Sequence, residues 1–138
     1  MVRVDMGLMG SGKTKQLITA VNELSKAAKG SVIVIERGEK LKNDIPARVA
    51  RLINTLDYSV CSYQVLRGFV TGLYAGNYDI THVFLDSLFK IAKNNDMDEC
   101  EKFLEWADEF GKKNSVEFYI TVSADADTAT AGVKKFIA

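Results

Sequence analysis

Four β-branched residues in a row, Val32-Ile33-Val34-Ile35, leave a strand with no polar face. Side chains alternate across a strand, so such a run has to be covered on both sides. The neighbouring segments supply helices to cover it. Before it, Leu17, Ile18, Val21, Leu24 and Ala28 fall at helical spacing, with Gly30 as a stop. After it, Ser62 is placed to cap a helix carrying Val65, Leu66, Phe69, Val70 and Leu73, closed by Gly76. ITHVFLD (80–86) and VEFYITVS (116–123) read as further strands, and VRVDM (2–6) as a short first one. SLFKIAK predicts a short helix. Asp96 and Glu99 form a capping-box pattern ahead of Cys100, Phe103, Leu104, Ala107 and Phe110. DTATAGVKKFIA predicts a short final helix, and YSVCS (58–62) a short strand.

Strands alternating with helices predict an α/β fold, compact and three-layered, with a mostly parallel sheet and helices on both faces. With 138 residues the chain suits a single domain over 1–138. Residues 37–56 support two readings. Val49, Leu52, Ile53 and Leu56 fit a helix stripe with Pro46 near its start, and RLINT (51–55) fits a strand equally well. In parallel sheets ligands bind beyond the carboxyl ends of the strands, and residues 7–14, Glu36, Asp86 and Ser123 lie at four such ends.

Between the first strand and first helix stands Gly7-Leu8-Met9-Gly10-Ser11-Gly12-Lys13-Thr14, the pattern G-x-x-x-x-G-K-[ST]. Glycines without a Cβ let backbone amides turn inward on an anion, and the helix N-terminus adds unpaired amides and its dipole. The residues expected to hold a nucleotide are Gly7, Met9, Gly10, Ser11, Gly12, Lys13, Thr14 and Lys15. Lys13 is expected to reach the β and γ phosphates, and Thr14 to place its hydroxyl on Mg²⁺. Asp86, ending an apolar strand, is the expected second magnesium contact, through water.

Lys plus Arg and Asp plus Glu both number 18, so the composition carries no strong nucleic-acid or anionic-membrane signal. No run approaches the roughly 18 apolar residues of a membrane span, and none resembles a leader, so a cytoplasmic location is expected. Two cysteines, Cys61 and Cys100, are too few for a four-cysteine zinc site, and each is expected in the core. His82 is expected to pack rather than bind a metal, and Trp106 to pack with Phe103 and Phe110.

The glycine loop, its helix and the Asp-terminated strand resemble those of P-loop NTPases over most of the chain. The loop is similar to the G-x-M-x-S-G-K-[ST] version of the thymidine kinases. The F-L-D and F-Y-I-T-V-S strands are similar to those of small bacterial proteins labelled twitching-motility or pilus-retraction ATPases. The resemblance implies a P-loop NTPase fold with ATP and Mg²⁺ as ligands, and a strand 116–123 lying between strands 2–6 and 80–86. By the same resemblance Glu36, at the end of its strand, takes the place of the catalytic base of recombinase-type ATPases, and Ser123 that of a γ-phosphate sensor.

Three departures stand out. Many of these enzymes place a catalytic Glu directly after the strand Asp, and here the residue is Ser87. The zinc-bound lasso of the thymidine kinases has no counterpart. The acidic and histidine boxes of pilus motors are missing as well. Arg37, Arg48, Arg51 and Arg67 are the candidates for an arginine finger, which a protein partner or a second copy in a homo-oligomer would otherwise supply. The resulting expectation is ATP, or another purine nucleoside triphosphate, bound with Mg²⁺ and hydrolysed slowly or on activation by a partner. A non-hydrolysing, nucleotide-responsive interaction module and a small nucleoside kinase are the alternatives.

Overall fold

The computed structural model describes residues 1–138. In chain order the elements are β1 (Val2–Gly7), α1 (Lys13–Ala27), β2 (Ser31–Glu36), β3 (Arg51–Asn54) and α2 (Tyr63–Gly76), then β4 (Ile80–Leu85), α3 (Leu88–Ala92), α4 (Met97–Asn114), β5 (Glu117–Ser123) and α5 (Ala131–Lys134). The five strands form one sheet in the order β1-β5-β4-β2-β3, with every pairing parallel. Helices cover both faces, so the chain is a three-layer α/β fold. No helix is long and apolar enough to cross a membrane.

The β-branched run lies between β4 and β3 and is buried on both sides. Ile33 and Ile35 point into the larger core, 25 buried residues shared with α2, α3, α4 and α5. Val32 and Val34 point the other way, into a cluster of only nine buried residues, where α1 contributes Leu17 and Val21. One helix does not fill that face. Leu41, Ile45 and Ala50, from the segment between β2 and β3, complete it. Burying Leu41 and Ile45 stabilises that segment by roughly 1.5–3 kcal/mol per side chain.

Residues 37–56 resolve in favour of the strand. A 3-10 turn spans Lys40–Asn43, and β3 follows at the sheet edge. The helix stripe through Val49 and Leu56 does not form. Ile53 instead faces the large core from β3 while Leu56 is exposed.

Several other expectations are corrected. Residues 58–62 are not a strand. A 3-10 turn spans Thr55–Asp57, Val60 N–H donates to Thr55 O, and Ser59 takes a positive φ of 57°, which breaks any extended run. Cys61 is exposed just before the Ser62 cap, whereas Cys100 is buried and burial pushes its thiol up to about 11. Leu24 lies on the outer face of α1 and is exposed.

The cap of α2 forms as expected, and the capping box of α4 only in its first half, because Asp96 N donates to Asn94 Oδ1 at 2.8 Å and not to the Glu99 side chain. Ser62 Oγ accepts from Val65 N at 3.0 Å, and Asp96 Oδ1 accepts from Asp98 N and Glu99 N at 2.9 and 3.0 Å. Trp106 packs with Phe103, Phe110 and Phe118 in the large core.

The outer edge of β1 is covered by the last residues: Val4 N donates to Phe136 O at 2.8 Å and Ala138 N to Val4 O at 3.1 Å. The opposite edge, β3, is four residues long and carries exposed Arg51, features that discourage edge-to-edge pairing.

The two faces of the sheet are entered from different strands. β1 leads into α1 on the thin face, whereas β4 leads into α3 and α4 on the thick one. β5 lies between β1 and β4, as expected for the strand ending in Ser123. The glycine loop and Asp86 therefore flank a change of side, where open α/β sheets form their ligand crevice.

Candidate functional site

The loop after β1 has the conformation that its glycines permit. Gly10 and Gly12 have φ of +84° and +89°, a region that costs other residues roughly 1–2 kcal/mol. At Gly7 a Cβ would lie 2.7 Å from Ser11 Oγ, so a larger residue there would push the Ser11 hydroxyl, a partner of Lys13, out of place. Gly12 is the N-cap of α1 and supplies no side-chain cap, so the first amides of a 15-residue helix remain available to a ligand. Lys13 is buried, and its ammonium folds back on the loop. Nζ donates to Leu8 O at 2.9 Å and to Ser11 Oγ at 3.3 Å. These oxygens hold the charge where an anion in the loop would meet it.

Asp86 stands beneath the start of α1, 5% exposed. Its backbone N–H donates to Ile35 O at 3.0 Å, which ties the end of β4 to β2. Thr121 Oγ1 donates to Asp86 Oδ1 at 2.7 Å and accepts from Ser87 N at 2.7 Å. Thr14 Oγ1 lies 3.4 and 3.3 Å from the two carboxylate oxygens. Those distances are long for an O–H···O bond, so hydroxyl and carboxylate face each other loosely. A hydroxyl and a carboxylate are hard oxygen donors of the kind Mg²⁺ accepts. No group of three or more His, Cys, Asp or Glu side chains offers an all-protein metal cage. A magnesium ion here would take its remaining ligands from water and phosphate, which suits its coordination habit.

Thr121 is a member of the site that stood out in the sequence only as a neighbour of Ser123, with no role of its own. Its signal was a hydroxyl residue within the apolar strand EFYITVS, on the same face as Tyr119 and Ser123.

A cavity of about 330 Å³ opens beside the loop. Met9, Gly10, Gly12, Lys13, Thr14 and Lys15 line one side, and Ser87 and Ser123 lie at the ends of β4 and β5. Ser87 holds a left-handed backbone, φ 63°, which turns the chain sharply from β4 into α3. Ser123 pairs in register with Gly7, and Ala124 N donates to Gly7 O at 3.1 Å, so β5 fixes the base of the loop. Lys40 and Lys90, which no motif singled out, also line this cavity. Arg37, Arg48, Arg51 and Arg67 do not. A larger cavity of about 570 Å³ lies at the other end of the sheet, near Gly30, Arg48, Arg51 and Asn77. It brings together neither the loop nor Asp86, so the smaller cavity is the functional candidate.

Glu36 is brought near this region but not into the cavity. It ends β2, and both carboxylate oxygens accept backbone amides of the following turn: Oε1 from Lys40 N at 3.2 Å and Oε2 from Leu41 N at 3.0 Å. The expected base thus acts as a latch on the segment that completes the thin face of the core. Burial pushes its carboxyl above the ordinary value of 4.5; the two amides pull it back, and Asp86 adds to the push.

A raised acid makes folding less favourable once the unfolded chain has ionised. This contribution to stability is fully present below pH 4.5 and is lost as pH climbs through the folded value. Glu36→Gln removes the titration, so the stability of the variant relative to wild type should rise with pH across that window. Urea unfolding of both proteins at several pH values checks this, and a flat or falling difference would refute it.

Comparison with protein-family models gave no match, and comparison with curated proteins gave none either.

Proposed function

We propose that this chain binds a purine nucleoside triphosphate, ATP foremost, together with Mg²⁺, in the cavity beside residues 7–14. The observation that supports the reading is the meeting of Thr14, in the first turn of α1, with Asp86, just past the end of β4, beside a glycine loop that carries a buried lysine. The resemblance to P-loop NTPases supports the same ligand. In this reading Gly10, Gly12 and the first turn of α1 cradle phosphate oxygens. Lys13 neutralises them, and Thr14 holds Mg²⁺ while Asp86 orients its water. Bound there, Mg²⁺ would supply charge neutralisation between adjacent phosphates.

Hydrolysis is slow in this reading. No Asp or Glu lines the cavity, and Glu36 is occupied by two amides. A positioned base or finger missing from such a site leaves a large factor unused, about 10³ to 10⁵ for a finger alone. The latch also favours a second reading, a nucleotide-responsive module. Lys40 lines the cavity and its amide holds Glu36, so occupancy has a direct route to the segment 37–50.

Calorimetric titration with ATP, in the presence of Mg²⁺ and of a chelator, tests the binding. Saturable, Mg²⁺-strengthened binding is expected, and no heat or displacement under either condition would overturn the reading. Single-turnover assays with protein in excess separate the two roles. Released phosphate supports the enzyme, and intact bound ATP with an altered oligomeric state supports the module.

A further inference from the structure

Four lysines, Lys13, Lys15, Lys40 and Lys90, line the cavity beside the loop, and no carboxylate does. The whole chain has a net charge of zero, so this is a local concentration of charge. The four ion pairs of the protein use Lys26, Lys102, Lys112 and Lys135, none of which lies here. Four unpaired cations around one cavity repel one another, and an anion of several charges relieves that repulsion.

The four divide into two pairs by origin. Lys13 and Lys15 belong to the loop and the start of α1. Lys40 comes from the 3-10 turn after β2, and Lys90 from α3 after β4. The second pair therefore comes from segments that follow β2 and β4, and shares the cavity lining with the loop residues. A phosphate in the loop is met by backbone N–H groups and Lys13. A further phosphate of the same ligand would share the cavity with Lys40 and Lys90, the two lining cations that lie outside the loop and α1.

Resting on the nucleotide reading above, we propose that Lys40 and Lys90 read the terminal phosphate. They make the site select triphosphate over diphosphate with charges from its own chain. Both side chains are exposed and neither is ion-paired, and of the two only Lys40 has a carboxyl near enough to feel its charge, Glu36.

The test compares Kd for the Mg²⁺ complexes of β,γ-imido-ATP and of ADP in wild type, Lys40→Gln, Lys90→Gln and the double variant. Each single change should weaken the triphosphate analogue by about tenfold, equivalent to roughly 1.4 kcal/mol, with less than about twofold for ADP. The double variant should approach the product of the two. Lys26→Gln, an exposed lysine on the far part of α1, controls for a general charge effect and should leave both constants unchanged. Equal losses for both nucleotides, or no loss for either, would overturn the proposal while leaving the nucleotide site intact. A wild-type protein that binds neither nucleotide would instead overturn the reading on which the proposal rests.

Discussion

Lys13→Ala should abolish the thermal stabilisation that Mg-ATP, bound at the proposed site, would confer on the wild-type chain. A ligand that binds only the folded state at about 100 times its Kd adds roughly 2.7 kcal/mol to stability. For a domain of this size that is an upward shift in Tm of roughly 8–10 °C. Lys13 is 7% exposed and is the only buried lysine in the chain, so its ammonium acts where water screens little.

The unliganded protein should change far less. The substitution removes two hydrogen bonds, to Leu8 O and Ser11 Oγ, and also one of four mutually repelling cations. These effects oppose each other, and the net change is on the order of 1 kcal/mol or less. The expected pattern is therefore an apo Tm close to wild type and a ligand-induced shift near zero. Differential scanning fluorimetry with and without Mg-ATP reads both. A variant that keeps the full shift would place the nucleotide somewhere other than this loop.

The parts of the fold that could be read directly were those with one dominant signal. The run Val32–Ile35 required two covering layers, and the strand and helix punctuation around it implied the parallel sheet. Reading failed where two signals competed. Residues 49–56 have apolar spacing that fits a helix and β-branched character that fits a strand. Pairing beside β2 settled it, and pairing is a long-range property no local pattern records. Tyr58 to Ser62 has strand-like composition, yet its chain direction is set by a turn through Ser59 and by the Ser62 cap.

The site divides in the same way. The loop was legible because a few glycines and one lysine specify it locally. Glu36 was located correctly at a strand end, but its partners, the amides of Lys40 and Leu41, come from a turn that could not be foreseen. Strand alternation did hold a clue that was not used. The sheet face that buries Val34, Phe84 and Tyr119 carries Glu36, Asp86 and Thr121 two residues further on, so three polar groups line up across β2, β4 and β5.

That alignment leads to the other large effect. Thr121→Val should destabilise the protein by about 3–4 kcal/mol, even though valine keeps the branched shape that suits a strand. Thr121 Oγ1 is the shortest hydrogen-bond partner of Asp86 and also the acceptor for Ser87 N, both at 2.7 Å. Removing the hydroxyl leaves a buried carboxylate short of a donor, a loss of roughly 1.5–3 kcal/mol, and a backbone N–H without an acceptor, a further 1–3 kcal/mol. Thr14 cannot compensate, because its hydroxyl already lies more than 3 Å from both oxygens and is anchored by α1.

Thr121→Ser separates the hydroxyl from the methyl group. It keeps both hydrogen bonds and should cost only about 1 kcal/mol from lost packing. Urea unfolding of the two variants reads the difference, and a valine variant no less stable than the serine variant would show that the network does not hold Asp86. The Thr121→Val, Asp86→Asn double-mutant cycle gives the coupling directly, and residues bonded this way should couple by 0.5 kcal/mol or more. The consequence for the proposed ligand follows from position. Without Thr121 the carboxylate loses the donor that fixes its position beside Thr14, so Mg²⁺ dependence of ATP binding should weaken together with stability, although Thr121 itself lies outside the cavity lining.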